Sequence, residues 1–394
     1  MKIAHICLTG GYTEGINYQE NYLTKYHSLA GNDVTVITTQ YCLDKNVWSE
    51  CSDTGYVNKY GVKVIRLPYL FKIPYRLNKH IGKFKGLSEE LKNIEPDLIF
   101  VHNCQFLDFL KIASYKKNHM DICIVADNHS DFSNSARNWP AKNILYGVYW
   151  KRLVKRVEKY VDRFYGVIPA REDFLKNVYG VPSEKVQLLV MGADDEGVKN
   201  SLTEKSKKEI RDRYQIPQNA FLIITGGKID RFKMQTLLLM QAIKEISNPD
   251  LYLIVFGSIE EELKKQALSL CDSTHIQYIG WAQGDDSYKY FAASDLAVFP
   301  GRHSVYWEEV AGMGIPMVCK YWNGTTHVDK GGNVIFLQND SVEEIKEVIE
   351  SIITDSEKYA NMKNTAENCR KEFLYSSISA RSIELCGRTT GEKE

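Results

Sequence analysis

Short apolar, β-branched runs alternate with longer amphipathic stretches from one end of the chain to the other. Seven runs, at 2–8, 33–39, 62–67, 97–102, 121–127, 164–168 and 186–190, are followed by five more at 220–225, 251–257, 275–279, 295–299 and 316–320. Runs apolar on both faces and separated by helical patterns are parallel strands covered on each side by helices. That is the grammar of a doubly wound α/β fold. The pattern restarts near 218, after a polar, strandless stretch at 196–217. The chain has 394 residues, more than the roughly 250–300 that one core accommodates. Two Rossmann-like parallel-sheet domains are therefore expected, at 1–195 and 196–375, with a last helix at about 376–394 returning to the first. Open α/β sheets bind ligands beyond the carboxyl ends of their strands, so the expected site is a cleft across which the two domains face each other.

Composition narrows the function classes. With 44% hydrophobic and 25% charged residues, the chain is neither disordered nor a disulfide scaffold. No apolar run reaches the roughly 18 residues of a membrane span, and the start does not read as a signal peptide. Nine scattered cysteines without a C-x-x-C pair fit a reduced cytoplasmic protein without structural zinc. Formal net charge is zero, but residues 1–195 carry 26 Lys/Arg against 21 Asp/Glu and the remainder 24 against 29. Neutrality argues against a nucleic-acid partner. The basic first half suits an anionic ligand or a membrane surface. Two aromatic-basic stretches there, 66–86 and 146–163, match what an anionic membrane attracts, or else lysines snorkelling over a core.

Three turns carry candidate chemistry. Gly10 and Gly11 follow the first strand and precede a helix, where backbone N–H groups can approach an anion. Gly226, Gly227, Lys228 and Lys233 follow the first strand of the second half, a placement suited to a diphosphate. Residues 299–316 read as a strand end, a helix capped by Ser304, and a Gly314-Ile315-Pro316 stop. Glu308 and Glu309 occupy neighbouring faces of that helix, and the solvated reading suits Glu308 better. His129 follows the strand at 121–127 and His102 ends the strand at 97–102. Asp127 and Asp131 flank His129 without a spacing that holds a metal, so no metal site is expected.

In order and spacing these motifs resemble the retaining, two-domain GT-B glycosyltransferases of family 4, over nearly the whole chain. Counting back seven residues from Pro316 puts Glu309 at the second glutamate of the family's E-x7-E pattern. Gly227, Lys228 and Lys233 match its diphosphate turn, Met191-Gly192-Ala193-Asp194 the segment closing its first domain, and Gly10-Gly11 its first loop. The first glutamate is missing, with Gly301 in its place. The resemblance implies metal-free transfer of a sugar from a nucleotide-sugar, a UDP-sugar before a GDP-sugar, to a lipid-linked or saccharide acceptor, with retention of configuration and no further cofactor. It implies that Lys228, Lys233 and the amides around Ser304 and Val305 hold the diphosphate, with His303 nearby. Glu309 would bind the ribose, the base would lie near Gly280 and Trp281, and His129 would face the donor sugar or acceptor. Bacterial polysaccharide assembly at the inner face of the cytoplasmic membrane is the expected setting. Two rivals are a nucleotide-sugar 2-epimerase of the same architecture and an inactive partner subunit of a transferase complex.

Overall fold

The computed structural model describes residues 1–44, 47–231, 233–272, 274–282 and 286–391. Phe232 of the lysine turn and residues 392–394 of the expected last helix lie outside the described residues. The strands are β1 Lys2–Cys7, β2 Asp33–Thr39, β3 Tyr41–Asp44, β4 Val47–Glu50, β5 Gly55–Val57, β6 Lys63–Leu67, β7 Leu98–Val101, β8 Cys123–Asn128, β9 Arg163–Gly166, β10 Val186–Leu188, β11 Phe221–Gly226, β12 Leu251–Phe256, β13 Ile276–Tyr278, β14 Leu296–Phe299, β15 Met317–Lys320 and β16 Val334–Leu337. Each of the twelve apolar runs overlaps one of them. They form strands for the reason the pattern suggests: β7, β8, β12, β14 and β15 are buried at every residue, as parallel strands between helical layers must be.

Two compact units share these strands: Met1–Val190 with Ile378–Glu394, and Met191–Ser377. The first unit's sheet runs β10-β9-β8-β7-β1-β2-β6-β5, all parallel except the β5 edge. The second runs β13-β12-β11-β14-β15-β16, parallel throughout. Both contain the strand order of a Rossmann sheet, in which the path reverses direction beside the first strand. The division falls after Val190 rather than Asp195 because 191–195 is bonded into the second unit. Ala193 pairs with Leu374, the Asp194 amide donates to the Tyr288 hydroxyl at 2.8 Å, and the Asp194 carboxylate caps the helix Asp195–Ser201.

The covering helices follow the same logic. In Val342–Thr354, Val342, Ile345, Ile349 and Ile352 are buried at helical spacing, and the Ser341 hydroxyl accepts from the Glu344 amide at the start. Helix Tyr306–Met313 is buried at seven of its eight residues and stops at Gly314, whose φ of +73° suits glycine.

Three features depart from the sequence reading. A hairpin, β3–β4, projects after β2. The basic stretch at 146–163 starts inside a π-helix, Ala141–Trp150, and runs through the helix Lys151–Val157 and the 3-10 turn Glu158–Tyr160 to the first residue of β9. Four cysteines are paired, Cys42 with Cys51 and Cys123 with Cys386, leaving five free, against the expectation of nine thiols. The second pair joins residues 263 apart in sequence because the helix Tyr375–Gly391 returns to β8. No spacing in a sequence announces such a contact.

Candidate functional site

In the second unit, β11 ends at Gly226 and turns on Gly227, whose φ of +125° needs glycine. A Cβ on Gly226 would meet the Phe256 ring at 2.1 Å, and one on Gly257 would meet the Gly227 carbonyl at 1.8 Å. The two loops thus approach closely at the carboxyl ends of β11 and β12. Lys228 extends outward, 3.3 Å from Asp230 and 3.0 Å from Glu260, and hydrogen bonding to these carboxylates raises its pKa. Lys233 differs. It is half-buried and makes no ion pair among the described residues; burial lowers its pKa, and nearby Arg302 lowers it further against the opposing influence of Asp230. Lys233 is thus a half-buried ammonium placed between the Asp230 carboxylate and a second cation, Arg302.

Gly301 lies over this turn, with space where its Cβ would stand 3.7 Å from the Lys233 Cα. Ser304 and Val305 lead into Tyr306–Met313. Ser304 does not cap with its hydroxyl; its carbonyl accepts from the Trp307 amide at 3.0 Å. Glu309 is 3% exposed. Glu308, expected on a solvated face, is 0% exposed. One carboxylate oxygen, Oε1, lies 2.8 Å from the Nε2 atoms of both His303 and His327. Burial pushes the Glu308 pKa up, but the two imidazoles outweigh it and bring the value down to about 2. Seven of the helix's eight residues are buried, so an amphipathic reading could not separate the two glutamates. Gly280 turns at φ +79° and Trp281 is 65% exposed.

In the first unit, a Cβ on Gly11 would lie 2.1 Å from the Tyr41 carbonyl and 2.8 Å from the Trp48 ring. Packing on the β3–β4 hairpin therefore accounts for this glycine, while Gly10 borders open space. At the end of β8, Asp127 is fully buried. Its carboxylate lies 3.0 Å from His102 Nδ1 and 3.4 Å from His129 Nε2, and accepts from the Asn103 amide at 2.6 Å. Burial opposes ionisation, yet the His129 and His102 imidazoles hold this carboxyl well below the usual range. His129 is partly exposed, at 31% of its side chain, so Asp127 orients a histidine that reaches the surface. Asp131 turns away to Arg171 at 3.1 Å and the Ser133 and Asn134 amides.

Behind Asp127 runs a chain of rings of which the sequence reading singled out only His102. His102 Nε2 meets His5 Nδ1 at 2.9 Å, His5 Nε2 meets His27 Nδ1 at 3.0 Å, and His27 Nε2 meets the Ser382 hydroxyl at 3.0 Å. A histidine within the apolar strand KIAHIC was a usable signal, because a buried polar side chain must find a partner. Burial lowers the His27 pKa to about 4 and takes His5 well below its ordinary 6.5. Between about pH 4 and 6.5 His27 is therefore mainly neutral when folded and mainly protonated in the unfolded chain, and His5 is shifted the same way. The His27 contribution to stability is complete above about pH 6.5 and is lost as pH falls towards 4, and that of His5 is lost in the same direction. For His27 alone the loss is about 3 kcal/mol. A melting temperature measured from pH 6.5 down to pH 4 should fall steadily; a flat profile would show that these imidazoles are charged in the fold.

Among the described residues no helix is long and apolar enough to cross a membrane. Of the two basic stretches, 66–86 turns its Arg66 inward, donating to the Tyr12 and Thr39 carbonyls, but exposes Leu70, Phe71 and Leu77. The segment around Ala141–Trp150 exposes Trp139, Ile144, Val148 and Tyr149.

Two family profiles cover most of the chain: Glycosyltransferase Family 4 over residues 15–196 and Glycosyl transferases group 1 over residues 206–369. The chain belongs to the family 4-like GT-B glycosyltransferases. Solved structures agree on the fold. HepE of Anabaena, in complex with UDP, matches with a TM-score of 0.70 at 15% identity, over 98% of this glycosyltransferase and 100% of that chain. Sucrose-phosphate synthase of Thermosynechococcus elongatus matches with a TM-score of 0.69 at 15% identity, over 98% of each chain. UDP-GlcNAc 2-epimerase of Neisseria meningitidis, bound to UDP-GlcNAc, matches at 0.63 and 14%, over 98% of the glycosyltransferase and 100% of its own chain. No curated protein matches by sequence.

Proposed function

We propose that this glycosyltransferase moves a sugar from a UDP-sugar to a lipid-linked or saccharide acceptor with retention of configuration, without a divalent ion at the diphosphate. Lys233 carries the reading: a half-buried ammonium without an ion pair among the described residues, at the carboxyl end of β11 and beside Arg302. As the bond from sugar to phosphate breaks, negative charge grows on the diphosphate. Cations and amides already in place stabilise that charge without reorganising. Lys233, Lys228 and the amides of Ser304 and Val305 are the groups available, with His303 close by. Glu309 accepts from the ribose hydroxyls, the base rests near Gly280 and Trp281, and His129, oriented by Asp127, faces the donor sugar or acceptor. Gly10 leaves its loop open for substrate. UDP is favoured because it is the nucleotide bound to HepE and, as a UDP-sugar, to the epimerase.

The test is a thermal-shift panel of UDP, GDP, ADP and their sugars. Ligand at 100 times its Kd raises stability by about 2.7 kcal/mol, and UDP should give the largest shift. Incubating the UDP-sugar without acceptor separates transfer from 2-epimerisation, since only an epimerase converts it to an isomeric nucleotide-sugar. A second expected result is that turnover neither needs added Mg²⁺ or Mn²⁺ nor falls in an assay containing EDTA. Strict dependence on either ion would assign the phosphate charge to a metal instead of the lysines. The exposed apolar side chains of Ala141–Trp150, with Lys142, Lys151 and Arg152 among them, fit the anionic membrane surface on which a lipid-linked acceptor would be met.

A further inference from the structure

We propose that His303, Glu308 and His327 form a resident binding site for one divalent transition-metal ion, zinc by the chemistry of its ligands. The three side chains come from different places on a rigid frame. His303 follows β14, Glu308 is the third residue of Tyr306–Met313, and His327 sits in the 3-10 turn Thr326–Val328 beyond β15. Their ligand atoms all lie within 4.8 Å of one another, and both Nε2 atoms stand 2.8 Å from Glu308 Oε1. The side chains are 11%, 0% and 2% exposed respectively.

Hydrogen bonding alone leaves this cluster poorly satisfied. One carboxylate oxygen serves both imidazoles, while Glu308 Oε2 is buried with no hydrogen-bond partner among the described residues, as is His327 Nδ1. A fully buried carboxylate with an idle oxygen carries an uncompensated desolvation cost. A metal ion removes the cause. It replaces the two Nε2 protons, neutralises the carboxylate and gives that carboxylate a second point of attachment. Two imidazoles and one carboxylate are the donor set of a four-coordinate zinc site with one position left open. Imidazole nitrogen selects zinc and its transition-metal neighbours over Mg²⁺ or Ca²⁺, which prefer oxygen. Bonds of about 2.0–2.1 Å require the nitrogens to move from the oxygen by about half an ångström, within the reach of side-chain torsions. Such an ion, ligated by two buried side chains and one partly buried one, stays with the protein, unlike a divalent ion that arrives and leaves with a diphosphate.

The experiment uses the full chain, made without a histidine tag, and reads metal rather than turnover. Elemental analysis after dialysis against metal-free buffer should find one equivalent of zinc per chain. After removal with dipicolinate, Co²⁺ should restore one equivalent with the visible absorption of a tetrahedral site. Glu308→Gln and His327→Gln should each weaken Co²⁺ binding by about 100-fold or more, at or beyond the upper end of the 10–100-fold typical of changes around the ligands. His129→Ala, in the other unit, should leave it unchanged. Should either buried variant lose its circular dichroism, His303→Ala, at the edge of the cluster, carries the comparison. Absence of zinc together with absence of the Co²⁺ spectrum would overturn the site. So would a spectrum unaltered in all three ligand variants, or Mg²⁺ competing equally. UDP binding by the metal-free protein is measured separately, so failure of the metal site and failure of the UDP-sugar reading remain distinct.

Discussion

Lys233→Ala should lower turnover by about 10² or more, the loss that follows removal of one preorganised group facing transition-state charge. The substitution should also weaken UDP binding, because the ground-state diphosphate meets the same ammonium. Folding should not suffer. The side chain makes no ion pair among the described residues, and its pKa is lowered chiefly by burial, so a truncated residue releases a desolvated charge. Melting should stay level or rise while the rate collapses. A rate within a few fold of the parent, measured at saturating donor, would remove the β11 turn from the mechanism. Lys228→Ala is the milder companion. Its ammonium is already shared with Asp230 and Glu260, so less of its charge is available to a ligand.

Glu309→Gln and Glu308→Gln should separate cleanly although the residues are adjacent. Glu309→Gln preserves shape but weakens an acceptor for two ribose hydroxyls, a charge-assisted interaction worth about 1.5–3 kcal/mol. Affinity for UDP, read by calorimetry, should fall tenfold or more. Glu308→Gln, compared with the parent in metal-free protein, should instead destabilise the fold. It takes the charge from an acceptor that meets two imidazoles at 2.8 Å, and a loss of about 1.5–3 kcal/mol amounts to several degrees of melting temperature. Acid acts on the same group. The Glu308 pKa is lowered from 4.5 to about 2, so its contribution is intact above pH 4.5 and disappears as pH falls towards 2. If UDP affinity follows Glu308 and stability follows Glu309, the two roles are exchanged and the count back from Pro316 is off by one.

The twelve runs were legible because both faces of a central parallel strand are apolar, so composition alone marks it. β3 and β4 were not, since a projecting hairpin is half wet and reads as loop. β5 is three residues on an edge, too short for a pattern. β16, VIFL after Gly331-Gly332-Asn333, was as apolar as its neighbours and could have been found. In the candidate site, whatever depends on local spacing could be read: the glycine–lysine turn, and the seven residues from Glu309 to Pro316. What depends on approach through space could not. Glu308 and His327 are 19 residues apart with a strand between them, and His5 meets His102 across 97 residues. The contrast between Glu308 and Glu309 was misread for another reason. Helical periodicity assigns one wet face, and Tyr306–Met313 has none.

The second unit enters and leaves the chain at one place. Ala193 and Leu374 lie side by side as a bridge. The Ala193 amide donates to the Phe373 carbonyl at 2.8 Å, the Tyr375 amide donates to the Ala193 carbonyl at 3.0 Å, and the Asp195 carboxylate accepts from the Ser376 amide. Residues 191–377 are thus a guest spliced into a host whose own sequence resumes at Ile378. A guest with adjoining ends imposes little closure entropy on its host, so replacing residues 191–377 at these two seams should leave the first unit folded. Its own ends, stitched together before they leave, make it a natural candidate for circular permutation.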